Sequence, residues 1–181
     1  ITVNPTPNVA QPANQTLCNG ATTNAIAFSG AVSGSSFSWI NSNTSIGLAA
    51  TGTGNIASFT AINLTNAPVT ATITVTPTAA GCAGAPQSFT ITVNPTPTVV
   101  QPANQVLCNG ATTNTITFAG AVSGTTYSWI NSNTSIGLAG SGNGNIPSFT
   151  TLNGGTTSVT ATITVTPTAA GCQGAPQIFT I

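Results

Sequence analysis

The sequence lacks every side chain that carries a charge near neutral pH. None of its 181 residues is Lys, Arg, Asp, Glu or His, whereas about a quarter of the residues in an ordinary soluble domain are charged. General acid–base catalysis, base-activated nucleophiles and carboxylate-bound calcium all need such side chains. Neutralising the phosphates of a nucleic acid needs Lys or Arg. The composition therefore argues against an enzyme, against a cofactor and against a nucleic-acid partner.

Long apolar runs are missing as well. No stretch approaches the roughly 20 consecutive apolar residues of a membrane-spanning helix, so we expect no membrane insertion. The sequence also has no methionine and no signal-peptide pattern. Because Ile1 and Ile181 both fall in the middle of the same strand pattern, we expect the sequence to be a window of a longer protein.

The absence of charge has a consequence for association. A net charge near zero favours association and precipitation, which is a liability for a free monomer but not for a protein that assembles. Contacts between such surfaces depend little on salt or pH, because only Tyr127 and any free cysteine titrate in the ordinary range. We therefore expect the main partner to be copies of the same chain, packed head to tail and laterally.

An internal repeat is the strongest positive feature. Residues 1–90 align with residues 91–180 without a gap, and 68 of the 90 positions are identical. The differences concentrate at residues 61–68 and their equivalents 151–158, which is typical of a surface loop. A period of this length favours tandem domains over a solenoid of short repeats.

The sequence Val-Thr-Ala-Thr-Ile-Thr-Val-Thr-Pro occurs at residues 69–77 and again at 159–167. Its strict alternation of apolar residues and Thr predicts a strand with one buried and one exposed face, and the proline is expected to end it. The outward residues form a candidate face for assembly or ligand binding: Thr70, Thr72, Thr74, Thr76, Thr160, Thr162, Thr164 and Thr166. Such a face is also compatible with a neutral solvent-exposed sheet, or with a surface that binds ice or a polysaccharide such as a surface glycan.

Further alternating segments predict six or seven short strands in each copy. In the first copy these are residues 25–28, 36–40, 56–62, 69–77 and 87–94, with weaker candidates at 9–11 and 46–50. Short strands, frequent turns and a unit of about 90 residues indicate an all-β fold of two tandem immunoglobulin-like β-sandwich domains. The Pro-Thr-Pro segment at 95–97 is the short linker between them. We predict a terminal strand of a preceding repeat at 1–4, repeat 1 at 5–94 and repeat 2, with a truncated last strand, at 95–181.

The inward positions of these strands predict the core. Trp39 and Trp129 could instead form platforms that stack on carbohydrate, but their spacing from Phe37 and Tyr127 places them on the inward face. The predicted core residues are Phe37, Trp39, Phe59, Ile73, Val75, Phe89, Tyr127, Trp129, Phe149, Ile163, Val165 and Phe179.

Four cysteines occur as two equivalent pairs. Cys18 and Cys82 in the first copy recur as Cys108 and Cys172 in the second. Two cysteines per domain suggest the disulfides Cys18–Cys82 and Cys108–Cys172, and an oxidising compartment. Bridges between units or between chains are the alternative. A four-thiolate metal site would require all four cysteines to converge, so no metal is expected.

The first four residues, Ile1, Thr2, Val3 and Asn4, repeat the sequence of residues 91–94. Since the equivalent segment is predicted to be the end of a last strand, Ile1 to Asn4 is a candidate for strand exchange between copies.

The chain resembles a known group of domains. The segments 89–97, 69–77 and 17–20 are similar to the PKD-like, immunoglobulin-like tandem repeats of giant surface proteins from Bacteroidetes. The Trp-x-Phe-Gly-Asp-Gly motif of ordinary PKD domains is absent, because Trp39 is followed by Ile-Asn-Ser-Asn. The resemblance implies an extracellular or cell-surface location, secretion by the type IX pathway and a role as a stalk, adhesin or filament. It supplies no catalytic residues.

These observations together predict a structural repeat of an extracellular fibre, filament or stalk. The alternative is an adhesin repeat that binds a polysaccharide or ice through the Thr-rich face.

Overall fold

A computed structural model describes all 181 residues. The chain forms two compact units, Ile1–Pro95 and Thr96–Ile181. Apart from one short 3-10 turn in each, Thr44–Ile46 and Thr134–Ile136, the regular structure is strand. The predicted all-β fold class is therefore confirmed.

The first unit builds a single six-stranded sheet. Its strands are β1 Gln15–Cys18, β2 Ser36–Asn41, β3 Thr51–Thr53, β4 Val69–Ala79, β5 Cys82–Ala83 and β6 Gln87–Asn94. The strand order is β1-β6-β4-β2-β3, and β5 pairs with the end of β4. The β1–β6 pair is parallel, whereas the other pairs are antiparallel.

The Thr-rich strand β4 is the centre of this sheet, because it pairs with β2, β5 and β6. Its alternation is confirmed, since Ala71, Ile73 and Val75 are fully buried. The expectation that Pro77 ends the strand is wrong, because β4 continues to Ala79. The β4–β6 ladder stops at Val75, so the missing N–H of Pro77 costs that ladder nothing. Its carbonyl still accepts a hydrogen bond from the amide of Gly84 at 2.9 Å.

A second layer covers the inner face of the sheet, and here the predicted strands 25–28 and 56–62 are wrong. These segments are joined only by isolated bridges, Ile26 to Ile56 and Thr22 to Thr60. Side chains replace the rest of the ladder. The Asn55 side-chain oxygen accepts a hydrogen bond from the Phe28 amide, and the Thr23 hydroxyl accepts one from Phe59. Ser, Thr and Asn side chains compete with sheet pairing in this way.

The remaining differences fall at the edges of the sheet. The weak candidates at 9–11 and 46–50 form no strand, and Ile46 instead ends the 3-10 turn. Strands β1 and β3 lie where the sequence predicted a loop and a turn. Both are edge strands of three or four residues, so each carries too little periodicity to be recognised.

The core of the first unit lies between the sheet and the second layer. It includes Val9, Ile26, Phe28, Trp39, Ile46, Leu48, Ile56, Ala61, Ala71, Ile73, Val75, Phe89, Ile91 and Val93.

The second unit repeats this arrangement. Its strands are β7 Thr126–Asn131, β8 Ser141–Asn143, β9 Thr162–Ala169, β10 Cys172–Gln173 and β11 Gln177–Thr180. The sheet order is β10-β9-β7-β8, and β11 pairs with β9. Residues 105–108, equivalent to β1, are not a strand in this unit.

Candidate functional site

The outward side chains of β4 and β6 form a surface that we call the Thr face. It consists of Thr70, Thr72, Thr74, Thr76, Ser88, Thr90 and Thr92. Its hydroxyls hydrogen-bond across the two strands: Thr70 Oγ1 lies 2.9 Å from Thr92 Oγ1, and Thr74 Oγ1 lies 2.8 Å from Ser88 Oγ. Thr70 and Thr72 are exposed, whereas Thr74 and Thr76 are half-buried. The face therefore presents methyl groups and mutually bonded hydroxyls, without any charge.

The equivalent surface of the second unit keeps the threonines of the long strand, but the exposed Ile178 replaces Ser88 beside Thr164 and offers it no hydroxyl. Thr160 is exposed, and the other three predicted residues, Thr162, Thr164 and Thr166, are half-buried. The repeat thus places two Thr faces in one chain. Their role in assembly or ligand binding stays a prediction.

The aromatic residues lie in the two cores. Trp39 and Trp129 are only 7% and 6% exposed, so the carbohydrate-stacking alternative is wrong for both. Each indole N–H is buried without a hydrogen-bond partner. The inward residues Ile73, Val75, Phe89, Ile163, Val165 and Phe179 are buried. Four others are partly buried against the cores, namely Phe37, Phe59, Tyr127 and Phe149.

The cysteines differ from the sequence prediction. Cys82 and Cys108 are free thiols, so the predicted bridges Cys18–Cys82 and Cys108–Cys172 are wrong. Cys18 and Cys172 are disulfide-bonded.

The sheet register explains why the cysteines of the first unit do not pair. Cys18 lies beside Asn94, at the end of β6 that faces Val69 of β4. Cys82 pairs with Ala79, at the opposite end of β4. Val69 and Ala79 are ten residues apart, which corresponds to about 33 Å in a strand. The Cα atoms of a disulfide lie within about 7 Å, so these two thiols are too far apart to bond.

The two ends of each sheet are distinct. We call the end that holds Ala79 and Cys82 the entry end. Pro7, the equivalent of the linker residue Pro97, contacts this end, because a Cβ added to Gly84 would overlap the carbonyl of Pro7. Gly174 and Pro97 repeat this contact in the second unit. At the opposite end, which we call the exit end, β6 finishes at Asn94.

Each unit therefore has one cysteine at each end. Cys82 and Cys172 lie at entry ends, where they pair with the last residue of β4 and of β9. Cys18 lies at the exit end of the first unit. Its equivalent Cys108 lies three residues after Gln105, whose backbone N–H donates a hydrogen bond to the carbonyl of Thr180 at the end of β11. Cys108 therefore lies at the exit end of the second unit.

The candidate strand-exchange segment Ile1 to Asn4 forms no regular structure, and Ile1 and Val3 are exposed. The Asn4 side-chain amide donates a hydrogen bond to the Ala80 carbonyl at 3.2 Å. The identical segment in the first unit, residues 91–94, is the end of β6, where Val93 is fully buried.

The second unit contains a cleft of about 200 Å³ near the end of β11. Val159 and Ile181 line it together with Gln105, Val106 and Leu107. Their equivalents in the first unit, residues 15–17, 69 and 91, surround the last residues of β6.

No cluster of three or more His, Cys, Asp or Glu side chains is present, and no helix has the length and apolarity to span a membrane. Burial raises the pKa of Tyr127 above 10.0. The geometry offers packing surfaces and thiols.

Sequence reasoning missed the structural role of asparagine. Asn63 is buried, and its amide group donates to the carbonyls of Ala67 at 2.8 Å and Val93 at 2.7 Å. Asn41 likewise donates to Leu48 and Ala49. The available signal was the Asn-x-Asn and Asn-x-Thr spacing, which is typical of side-chain turns.

Comparison with known proteins agrees with this architecture. Residues 15–97 match the model of a family described as a PKD-like domain. The fold is immunoglobulin-like. Families of this fold are typically binding or structural domains of cell-surface proteins, not enzymes. No curated protein matches the chain.

Three solved structures are similar to the chain. The crystal structure of DIP-gamma IG1+IG2 has a TM-score of 0.54 and 12% identity, over 97% of this chain and 96% of that one. Mouse cadherin-23 EC22-24 has a TM-score of 0.49 and 11% identity, over 98% of this chain and 66% of that one. Sidekick-1 immunoglobulin domains 1–4 have a TM-score of 0.47 and 15% identity, over 96% of this chain and 48% of that one.

Proposed function

We propose that the chain is a structural segment of an extracellular fibre, filament or cell-surface stalk, whose copies associate through their Thr faces. The observation that carries the proposal is the pairing of hydroxyls on this face, Thr70 with Thr92 and Thr74 with Ser88. Burying a polar group is costly when it loses its hydrogen-bond partner. Hydroxyls that already bond to one another can be covered by a second copy at a small desolvation cost.

The absence of charge supports the same proposal. No Lys, Arg, Asp or Glu is present, so no ion has to be desolvated and no like charges repel when two copies meet. The edges of the sheet are less suited to association, because β1 and β3 have only four and three residues and short edges limit strand addition. Face-to-face packing is the mode that this surface favours.

Ionic strength provides the first test. Sedimentation and electron microscopy of the purified chain should show the same assemblies in low salt and at about 1 M NaCl, where the screening length falls to about 3 Å. Dissolution by moderate salt would count heavily against contacts between uncharged faces.

A charge-insertion pair provides the second test. Thr72→Lys places a charge in the Thr face, whereas Asn66→Lys places the same charge in the exposed loop at 61–68. We expect Thr72→Lys to abolish assembly and Asn66→Lys to preserve it, with both variants folded by circular dichroism. Equal loss in both variants would indicate that net charge alone, and not the Thr face, controls association.

Strand exchange is the proposed contact along the fibre. In this exchange, Thr2, Val3 and Asn4 of one copy would take the places that residues 92–94 occupy in another copy. Support comes from the identical sequence of residues 1–4 and 91–94 and from the exposure of Val3.

This contact makes a specific prediction about alternate residues. The equivalent of Val3 is fully buried in β6, whereas the equivalent of Thr2 is half-exposed. Val3→Asp should therefore shorten the assemblies, and Thr2→Asp, with the same added charge, should affect them far less. If both variants assemble like the original chain, residues 1–4 do not take part.

The proposed location is extracellular. The disulfide-bonded state of Cys18 and Cys172 supports it, because such bonds persist in oxidising compartments. The resemblance to surface proteins of Bacteroidetes extends this proposal to secretion by the type IX pathway and attachment to a bacterial surface.

A polysaccharide or ice surface is the second candidate partner, favoured by the exposure of Thr70, Thr72 and Thr160. The bonds within the Thr face leave fewer free hydroxyl donors for such a ligand. Glycan-array binding or inhibition of ice recrystallisation by the Asn66→Lys form of the chain, but not by its Thr72→Lys form, would favour this adhesin function.

A further inference from the structure

The two units contain the same cysteine positions in opposite states. Cys18 is disulfide-bonded, whereas its equivalent Cys108 is free. Cys172 is disulfide-bonded, whereas its equivalent Cys82 is free. Each position is therefore shown to form a disulfide in one copy of the repeat, and each is present as a thiol in the other.

The two free thiols are complementary in position. Cys82 lies at an entry end and Cys108 at an exit end. The two bonded cysteines comprise the same combination, Cys172 at an entry end and Cys18 at an exit end. Because the cysteines within the first unit are separated by about 33 Å of strand, a thiol of this unit has to find its partner elsewhere.

Cys108 is exposed and Cys82 is partly exposed. Cys108 lies just before a well-defined turn, and Cys82 lies just after one. Cys108 is exposed, and its carbonyl accepts hydrogen bonds from the Ala111 amide and the Thr151 hydroxyl. Cys82 is half-buried directly after Ala80 and Gly81, which both have positive φ angles. Two such residues form the tight turn of a hairpin, so the backbone fixes the position of this thiol.

We propose that Cys108 of one copy and Cys82 of the next form an intermolecular disulfide that joins copies of this chain end to end. The inference rests on the proposed self-association and identifies a covalent contact within it. The bond would connect an exit end to an entry end, as head-to-tail growth requires.

The reaction needs an oxidant, for which we name a small-molecule disulfide such as oxidised glutathione. One protein thiolate attacks this disulfide, forms a mixed disulfide and releases one small thiol. The thiolate of the second copy then attacks the protein sulfur of the mixed disulfide and releases the other small thiol. The two protein thiols lose two electrons and two protons in total, and the small disulfide is reduced to two thiols.

Two single variants test the pairing. Cys82→Ser retains only the exit-end thiol, and Cys108→Ser retains only the entry-end thiol. In a glutathione redox buffer, we expect each variant alone to remain monomeric on non-reducing gels, a mixture of the two to give a dimer, and the original chain to give a ladder. Isotopic labelling of one variant shows whether the dimer contains one copy of each.

Mass spectrometry then identifies the bond. Trypsin has no cleavage site here, because Lys and Arg are absent, so chymotrypsin is used. The expected product is a crosslinked peptide pair that contains Cys82 and Cys108, with Cys18 and Cys172 still oxidised. A mixture that stays monomeric, or dimers that form equally well from either variant alone, would overturn the proposal.

The double variant Cys82→Ser/Cys108→Ser separates this proposal from the proposed function. If the double variant still assembles by sedimentation while the mixture of single variants forms no disulfide, only the covalent link fails. If the mixture forms the disulfide but the double variant never associates, the Thr-face contact fails and the thiol link stands.

Discussion

The indole of Trp129 lies against the backbone of Gly142 on the neighbouring strand. The two residues are register partners in the β7–β8 pair, and a Cβ added to Gly142 would lie 2.6 Å from Cε2 of the indole. Trp39 and Gly52 repeat this contact in the first unit. Glycine is thus required at this edge because the indole occupies the space of a side chain.

Gly142→Ala should therefore destabilise the second unit. The added methyl group forces the buried indole out of its position, and overpacking of this kind costs about 1–3 kcal/mol. Urea unfolding followed by tryptophan fluorescence measures the change. Gly140→Ala is the matched control, because its Cβ would meet only a Thr134 methyl group at 3.5 Å and the first repeat already has Ala50 there. Equal stability of the two variants would contradict the proposed packing.

A second prediction concerns the contact between Gly174 and the linker residue Pro97. A Cβ on Gly174 would overlap the Pro97 carbonyl oxygen and lie 2.8 Å from its carbon. Backbone atoms shift less readily than a flexible side chain. Gly174→Ala should therefore lower the free energy of unfolding by about 1–3 kcal/mol and loosen the segment around Pro97. Hydrogen exchange of residues 98–100 reports the loosening. Gly154→Ala, which meets nothing within 4 Å, should leave this exchange unchanged.

A third prediction concerns Asn63. Its amide group satisfies two carbonyls, those of Ala67 and Val93, and Asn63→Ala would leave both without this donor. Losing a buried partner costs about 1–3 kcal/mol. The equivalent Asn153 donates only to Thr157 and is less buried, so Asn153→Ala should cost less. The midpoints of urea unfolding of the two variants provide the comparison, and a larger loss at Asn153 would refute it.

The pH dependence of stability should be flat over an unusual range. Burial raises the pKa of Tyr127 in the folded chain above 10.0, so the folded state holds this proton to a higher pH than the unfolded state does. Its contribution to stability is complete below the unfolded pKa and is lost as the pH rises through the folded pKa. We expect a constant free energy of unfolding from about pH 5 to pH 8 and a decline above about pH 10.

Tyr127→Phe tests the source of that decline. The first repeat has Phe37 at the equivalent position, so the substitution fits the core, and it should remove the alkaline decline of the second unit. The measurement is made in the Cys82→Ser/Cys108→Ser background, in which neither free thiol is present to contribute to the decline. An unchanged decline in Tyr127→Phe would assign it to another group.

The sequence predicted the elements whose periodicity is long. Strand β6 has the predicted bounds 87–94, and β4 begins where the alternation begins. In the first copy this alternation decides both strand and burial, as the fully buried Ile73 and Val75 show. In the second copy the same alternation begins at Val159, but the strand begins only at Thr162. Short edge strands such as β3 carry no comparable signal, since three residues cannot display a period.

The predicted strands of the second layer failed for a different reason. Their apolar alternation was correct for burial, since Ile26 and Ile56 are both in the core. However, the side chains of Asn55 and Thr23 take hydrogen bonds that a continuous ladder would have used. Periodicity reports which residues are buried, but it does not report which partner a backbone amide chooses.

The sequence by itself determined the repeat, the uncharged surface, the inward and outward faces of β4, and the presence of two cysteines per repeat. These are properties of composition and local alternation, which do not depend on how distant segments meet. Only the tertiary structure decided which cysteines can bond. The pairing of Cys18 with the end of β6 and of Cys82 with the end of β4 separates two thiols whose chain positions had suggested a bridge. A disulfide depends on the distance between Cα atoms, and that distance is set by sheet register, which no local pattern specifies.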